Sequence, residues 1–208
     1  ELKIVYKEFL ETHRLKRYLQ AFFFFNTGVQ TVMLMAVLFA TKAIEWPENG
    51  QKSGLIISIV IIQILASIGA FLMAKLSIRI GNIKTLILSV FLWILICTAA
   101  FIVKKEHEFY ILAAFVGLVM GGVQAIARST YSRFLPETTD HASYFSFYDV
   151  SEKIGIVFGT AFFALAEYLF DDIKYSVISV ALFFVIGLIL LYRVPDKEIQ
   201  IEGKEFLV

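Results

Sequence analysis

Six stretches of the chain are each long and apolar enough to cross a bilayer. Nothing else in the sequence constrains the fold as strongly. A bilayer core takes about 20 apolar residues per helix. Such stretches run over Tyr18–Thr41, Gly54–Leu76, Thr85–Val103, Phe109–Thr130, Ala142–Phe170 and Tyr175–Tyr192. Breaks fall at Trp46-Pro47-Glu48-Asn49-Gly50, Arg79-Ile80-Gly81-Asn82, Lys104-Lys105-Glu106, Pro136–Asp140 and Asp171-Asp172, and Pro195 closes the last stretch. These are turn-forming or charged residues, as expected between spans. The apolar fraction is 59%, with 21 phenylalanines among 208 residues. A soluble core of this size has no room for so much apolar surface, whereas a lipid-facing surface requires it. The expected fold is an all-α membrane protein, a six-transmembrane-helix bundle.

Composition also excludes several functions. The Lys/Arg residues are not interleaved with aromatics as in a nucleic-acid surface, so no nucleic-acid partner is expected. His13, His107 and His141 lie far apart, the single cysteine is Cys97, and no metal or other cofactor is expected. H-E-x-x-H, G-x-S-x-G and a Walker A loop are absent from the sequence, which argues against an intramembrane enzyme and against ATP drive.

Basic residues orient the bundle. Thirteen fall on the side of the chain ends (Lys3, Lys7, Arg14, Lys16, Arg17, Lys75, Arg79, Lys84, Arg128, Arg133, Arg193, Lys197, Lys204). Five fall on the other side (Lys42, Lys52, Lys104, Lys105, Lys174). The positive-inside rule then places both termini in the cytoplasm. Residues 1–17, with Leu2, Val5 and Phe9 on one side, read as a cytoplasmic linker or an interfacial helix. Residues 18–193 form the transmembrane domain, and 194–208 form a cytoplasmic tail. The start at Glu1, without a Met or a signal sequence, reads as a cut from something longer.

Polar residues are spread unevenly over the spans. The third and sixth carry no ionisable or amide side chain and read as peripheral, lipid-facing helices. The first carries Asn26 and Gln30, the second Gln63, the fourth Gln124 and Arg128, and the fifth Asp149, Glu152, Lys153 and Glu167. Polar groups in hydrocarbon are costly and turn toward a bundle interior or an aqueous cavity. The substrate-binding candidates are therefore Asn26, Gln30 and Gln124. Candidates for gating or proton coupling are Arg128, Asp149, Glu152 and Lys153. Asp149 and Lys153, spaced i, i+4, are also placed to neutralise one another; the sharper expectation is that Glu152 or Asp149 couples protons or partners Arg128 in a cytoplasmic gate. On the fourth helix Gly117 and Gly121 share a stripe with Gln124 and Arg128. On the fifth, Gly155 and Gly159 share one with Tyr148 and Glu152. The glycines suit close helix packing. Gly28-Val29-Gln30 recurs as Gly122-Val123-Gln124, consistent with two three-helix repeats.

The segment from Gly117 through Gly121-Gly122-Val-Gln124-Ala-Ile-Ala-Arg128-Ser129 to Pro136, followed by Phe145-Ser146-Phe147-Tyr148 and Lys153, resembles the vacuole-effluxer-like permease family of the major facilitator superfamily, in its C-terminal half. Asn26-Thr-Gly28-Val-Gln30-Thr31 is similar to that family's N-D-G-V-Q-T. The resemblance implies half of a major facilitator fold, helices seven to twelve of twelve, with an N-terminal six-helix half as partner. It implies secondary transport of a small solute, amino acids by analogy with fungal relatives, in a bacterial inner membrane. Two departures stand out. Ile78 occupies the usual acidic position of the loop after the second helix, and Glu152 stands where the family tends to have glycine. The competing expectation is a non-transporting scaffold or receptor derived from a transporter half.

Overall fold

The computed structural model describes residues 13–135 and 141–195. It consists of six helices: α1 (His13–Ala43), α2 (Gln51–Ile80), α3 (Asn82–Ile102), α4 (Glu106–Phe134), α5 (His141–Phe170) and α6 (Ile173–Tyr192). All six are long and apolar enough to cross a membrane, so the chain is a multi-pass integral membrane protein. Among the described residues there is no strand, only an isolated bridge between Glu45 and Lys105. Helix α1 starts by His13, ahead of the expected Tyr18. Residues 1–12 of the expected linker and 196–208 of the tail lie outside the described residues.

The helix ends follow local chemistry. Gly81 separates α2 from α3 by a single residue and adopts φ 89°, a conformation L side chains rarely take. Its N–H closes α2 by donating to Ser77 O at 2.9 Å. At the start of α4, Glu108 Oε2 accepts the N–H groups of Lys104 and Lys105 at 3.0 and 3.1 Å. Asp172 caps α6 by accepting from Lys174 N–H at 2.8 Å. The first satisfies a carbonyl at a helix C-terminus, and the other two satisfy backbone donors at helix N-termini.

Contacts between connections sort the bundle into two ends. At one, Glu45 N–H donates to Lys104 O at 2.8 Å and Lys174 Nζ to Val103 O at 3.1 Å. At the other, Arg17 Nη1 donates to Arg193 O at 3.2 Å and Asn82 Nδ2 to Thr130 Oγ1 at 3.1 Å. Successive helices therefore alternate in direction. We call the second the terminal end, because α1 begins and α6 finishes there.

Helix α2 packs most extensively on α4, α1 on α6, and α3 on α6. The α1–α6 seam is reciprocal: Gly28 faces the Phe184 ring, and Gly187 faces the Phe25 backbone. Trp93 of α3 is fully buried and stacks on Phe184 with ring centroids 5.3 Å apart. The third and sixth spans, expected to face lipid, thus also carry a packed face. Within this unit α3 and α6 each bury a packed face, whereas α2 buries only Gly54, Ser58, Gly69 and Met73, and α5 is also largely exposed. Lipid tails are as apolar as leucine, so lack of polar residues does not distinguish a lipid-facing helix from a packed one.

Candidate functional site

The residues singled out by sequence fall on α1, α4 and α5, and the structure brings some of them together. Asn26 is buried, 5% exposed, and its Nδ2 has no hydrogen-bond partner. Gln30, one turn further along α1, is half-buried, and Gln124 of α4 is exposed. Gln124 Nε2 lies 3.4 Å from Met33 Sδ, a weak contact that joins α4 to α1. Burial thus falls from Asn26 through Gln30 to Gln124, from the interior to an open face. Gln63 of α2 is exposed as well.

Toward the terminal end, Arg128 Nη2 lies 3.8 Å from Asp149 Oδ1, linking α4 to α5. The guanidinium also sits 5.6 Å from the ring centre of Phe145 and 6.0 Å from that of Tyr148. Both charged side chains are more than half exposed, so the pair contributes at most about 1 kcal/mol to stability. Its use is positional: it ties two helices by a contact that water can compete for. The expected i, i+4 pairing of Asp149 with Lys153 does not form. Lys153 Nζ instead lies 3.7 Å from Glu152 Oε1 of the adjacent residue. Correct spacing along a helix permits such a pair, but a cation on a neighbouring helix outcompetes it here.

The other side of α5 faces α1. Tyr148 is 4% exposed and stacks on Phe22 at 4.2 Å. Gly155 and Gly159 lie against the Thr27 and Thr31 hydroxyls. Those hydroxyls donate to the α1 carbonyls of Phe23 and Thr27 at 2.6 and 2.7 Å, so they are satisfied without α5. The register puts Glu152, between Tyr148 and Gly155, level with the turn of α1 that carries Asn26. Its side chain is 24% exposed, far less than that of Asp149. Gly117 and Gly121 of α4 lie against the α2 backbone at Ile62 and Ala66.

Sequence reading left a cross-helix ion pair unassigned. At the far end of α5, Glu167 pairs with Lys42 of α1. The signal was present, since Glu167 is an acid at the end of an apolar span and Lys42 a base in the last turn of α1. A separation of 125 residues hides such a pair from any local rule. Among the described residues no three His, Cys, Asp or Glu side chains gather closely enough to hold a metal ion.

Comparison with known proteins adds a family. The family described as vacuole effluxer Atg22 like matches residues 1–203. An uncharacterized MFS-type transporter, YxiO, from Bacillus subtilis is 27% identical over 181 residues, covering 86% of this chain and 41% of that protein. Autophagy-related protein 22 of Vanderwaltozyma polyspora is 25% identical over 194 residues, covering 86% of this chain and 34% of the relative. Autophagy-related protein 22 of Cryptococcus neoformans is 22% identical over 205 residues, covering 91% and 35%. The chain spans less than half the length of these relatives. No solved structure matches.

Proposed function

This chain belongs to the Atg22-like vacuole effluxer family, and from that premise we propose that it is one six-helix half of a secondary active transporter, working by alternating access against a second six-helix half. The observation that carries the reading is the open face of α1, α4 and α5. It holds an amide at Gln124 and a cross-helix ion pair, Arg128–Asp149, that nothing in this unit covers. Polar groups are costly in hydrocarbon, so this face suits a protein-lined aqueous cavity. The short coverage of its relatives agrees with a partner half. That half would seat against the exposed surfaces of α2 and α5 and leave the solute between the two, near Asn26, Gln30 and Gln124.

In this mechanism Arg128–Asp149 closes the terminal end and Lys42–Glu167 the opposite end. Breaking one pair while the other holds opens one side at a time. Glu152, the less exposed acid near the terminal end, carries the proton, and Lys153 beside it releases or holds the carboxylate. The proposed substrate class is amino acids, and the basic terminal end faces the cytoplasm. Of the membranes that the relatives' names suggest, a bacterial inner membrane is proposed, on the higher identity to the Bacillus subtilis protein.

The test is amino-acid flux in proteoliposomes, with and without a proton gradient. A full-length relative-sized protein carrying this chain should show gradient-dependent flux, and the 208-residue chain alone should show none. Net flux by the chain alone overturns the half-transporter reading. One observation favours the scaffold reading: Ile78, at the position where the superfamily's loop usually has an acid, is apolar and 85% exposed. Absence of flux from the full-length protein for every amino acid would support that reading instead.

A further inference from the structure

We propose that a cleft at the terminal end, between α1, α3 and α4, binds the phosphate of an anionic lipid headgroup. The cleft has a volume of about 370 Å³ and is lined by Arg14, Ile80, Asn82, Lys84, Thr130 and Arg133, among others. Three of these are cations contributed by three different helices, and among the described residues no acid lines the cleft. Lys84 and Arg133 are exposed and form no ion pair among the described residues. Among the described residues the acids of this end are Asp149 and Glu152, and both are engaged elsewhere. Arg14 forms the wall, its guanidinium 4.0 Å from the Phe134 ring centre.

The floor is built to keep this opening. Asn82 Nδ2 donates to Thr130 Oγ1 at 3.1 Å and fixes the start of α3 against α4. Helix α3 begins with no side-chain cap and no acid in its first turn. Its first backbone N–H groups therefore add partial positive charge beside the lysine and arginine. Basic pockets between transmembrane helices on the cytoplasmic side suit lipid phosphates.

Two apolar side chains decide between a lipid and a free anion. Ile80, 40% exposed, lines the cleft, and Ile78, 85% exposed, stands two residues before it. An aqueous phosphate gains nothing from such neighbours, whereas the glycerol and acyl portion of a lipid buries them. The loop position at which the superfamily usually carries an acid is thus apolar and flanks the cation cluster.

Thermal unfolding of the purified chain in a neutral detergent tests the proposal, with short-chain phosphatidylglycerol, short-chain phosphatidylcholine or inorganic phosphate added. A ligand that binds only the folded state raises Tm in proportion to its occupancy. Phosphatidylglycerol is expected to raise Tm by several degrees more than phosphatidylcholine. The double variant K84Q/R133Q should lose at least half of that difference, and K84R/R133K should keep it. K52Q/K104Q, which removes two exposed charges from the opposite end, should keep it as well. Equal shifts in K84Q/R133Q and the unaltered chain overturn the site, as does equal loss in K52Q/K104Q. A shift with inorganic phosphate but not with phosphatidylglycerol overturns the lipid as occupant.

Discussion

Two of the helix seams that close on glycines, α2–α4 and α1–α5, are built differently. Along α2–α4, backbone meets backbone. A Cβ placed on Gly121 would lie 2.0 Å from the Ala66 carbonyl oxygen, and one on Gly69 would lie 1.9 Å from the Leu118 carbonyl oxygen. Along α1–α5, glycine meets side chain: Gly159 faces Thr31 Oγ1 at 2.0 Å and Gly155 faces Thr27 Oγ1 at 2.6 Å on the same measure. If α1–α3 and α4–α6 are two copies of one three-helix unit, exchanging the copies turns the α2–α4 pair into the α5–α1 pair. The same contact has thus been made rigid in one place and adjustable in the other. Backbone carbonyls cannot rotate away, whereas a threonine rotamer can. The adjustable seam belongs to α5, the helix that also carries both cross-helix ion pairs, to Arg128 and to Lys42. The contrast is one of packing: α2–α4 closes backbone on backbone, and α1–α5 closes backbone on threonine side chains.

The largest effect should come from the rigid seam. Gly121→Val forces two backbones apart and is expected to cost about 3 kcal/mol or more, seen as loss of a monodisperse folded species in detergent. Gly159→Ala should cost about 1–2 kcal/mol, and adding Thr31→Ala should restore most of it by vacating the hydroxyl. Equal losses from both glycine substitutions, with no rescue, would erase the distinction between the seams.

An intermediate effect separates function from stability. Arg128→Gln and Asp149→Asn should each lower transport by the full-length protein about tenfold while changing stability by less than about 1 kcal/mol. Reversing the pair, R128D/D149R, should recover part of the activity. Wild-type flux in both single variants would show that α5 is not held by this contact. The smallest effect is confined to a profile. Glu152→Gln should flatten the dependence of transport on pH and leave Tm unchanged. A profile superimposable on the wild type would take the proton role from Glu152.

Much of the architecture was legible in the chain. Six spans, their breaks at Pro47, Gly81 and Asp171–Asp172, and their alternation follow from the length of apolar runs and from backbone limits that act locally. The glycine faces of α4 and α5 were legible too, because helical periodicity places Gly117 with Gly121 and Gly155 with Gly159 whatever they touch. The candidate site was less so. Helical spacing offered Asp149 only Lys153, yet the tertiary structure brings Arg128 of α4 within reach while Lys153 turns to Glu152. Lys42 and Glu167 had no local reason to be paired at all.

What the sequence alone determined is therefore the membrane as solvent, the number of crossings and which face of each helix can be approached closely. These depend on transfer free energy and on helix period, both properties of a short segment. Which helix covers which, and which charges meet, was decided only by tertiary structure. Lipid and protein interior are equally apolar, so hydropathy sees no difference between them. That is why α3 and α6, whose apolar spans Thr85–Val103 and Tyr175–Tyr192 carry no charged or amide side chain, hold a packed seam at Trp93 and Phe184, while α2, nearly as apolar, presents most of its surface outward.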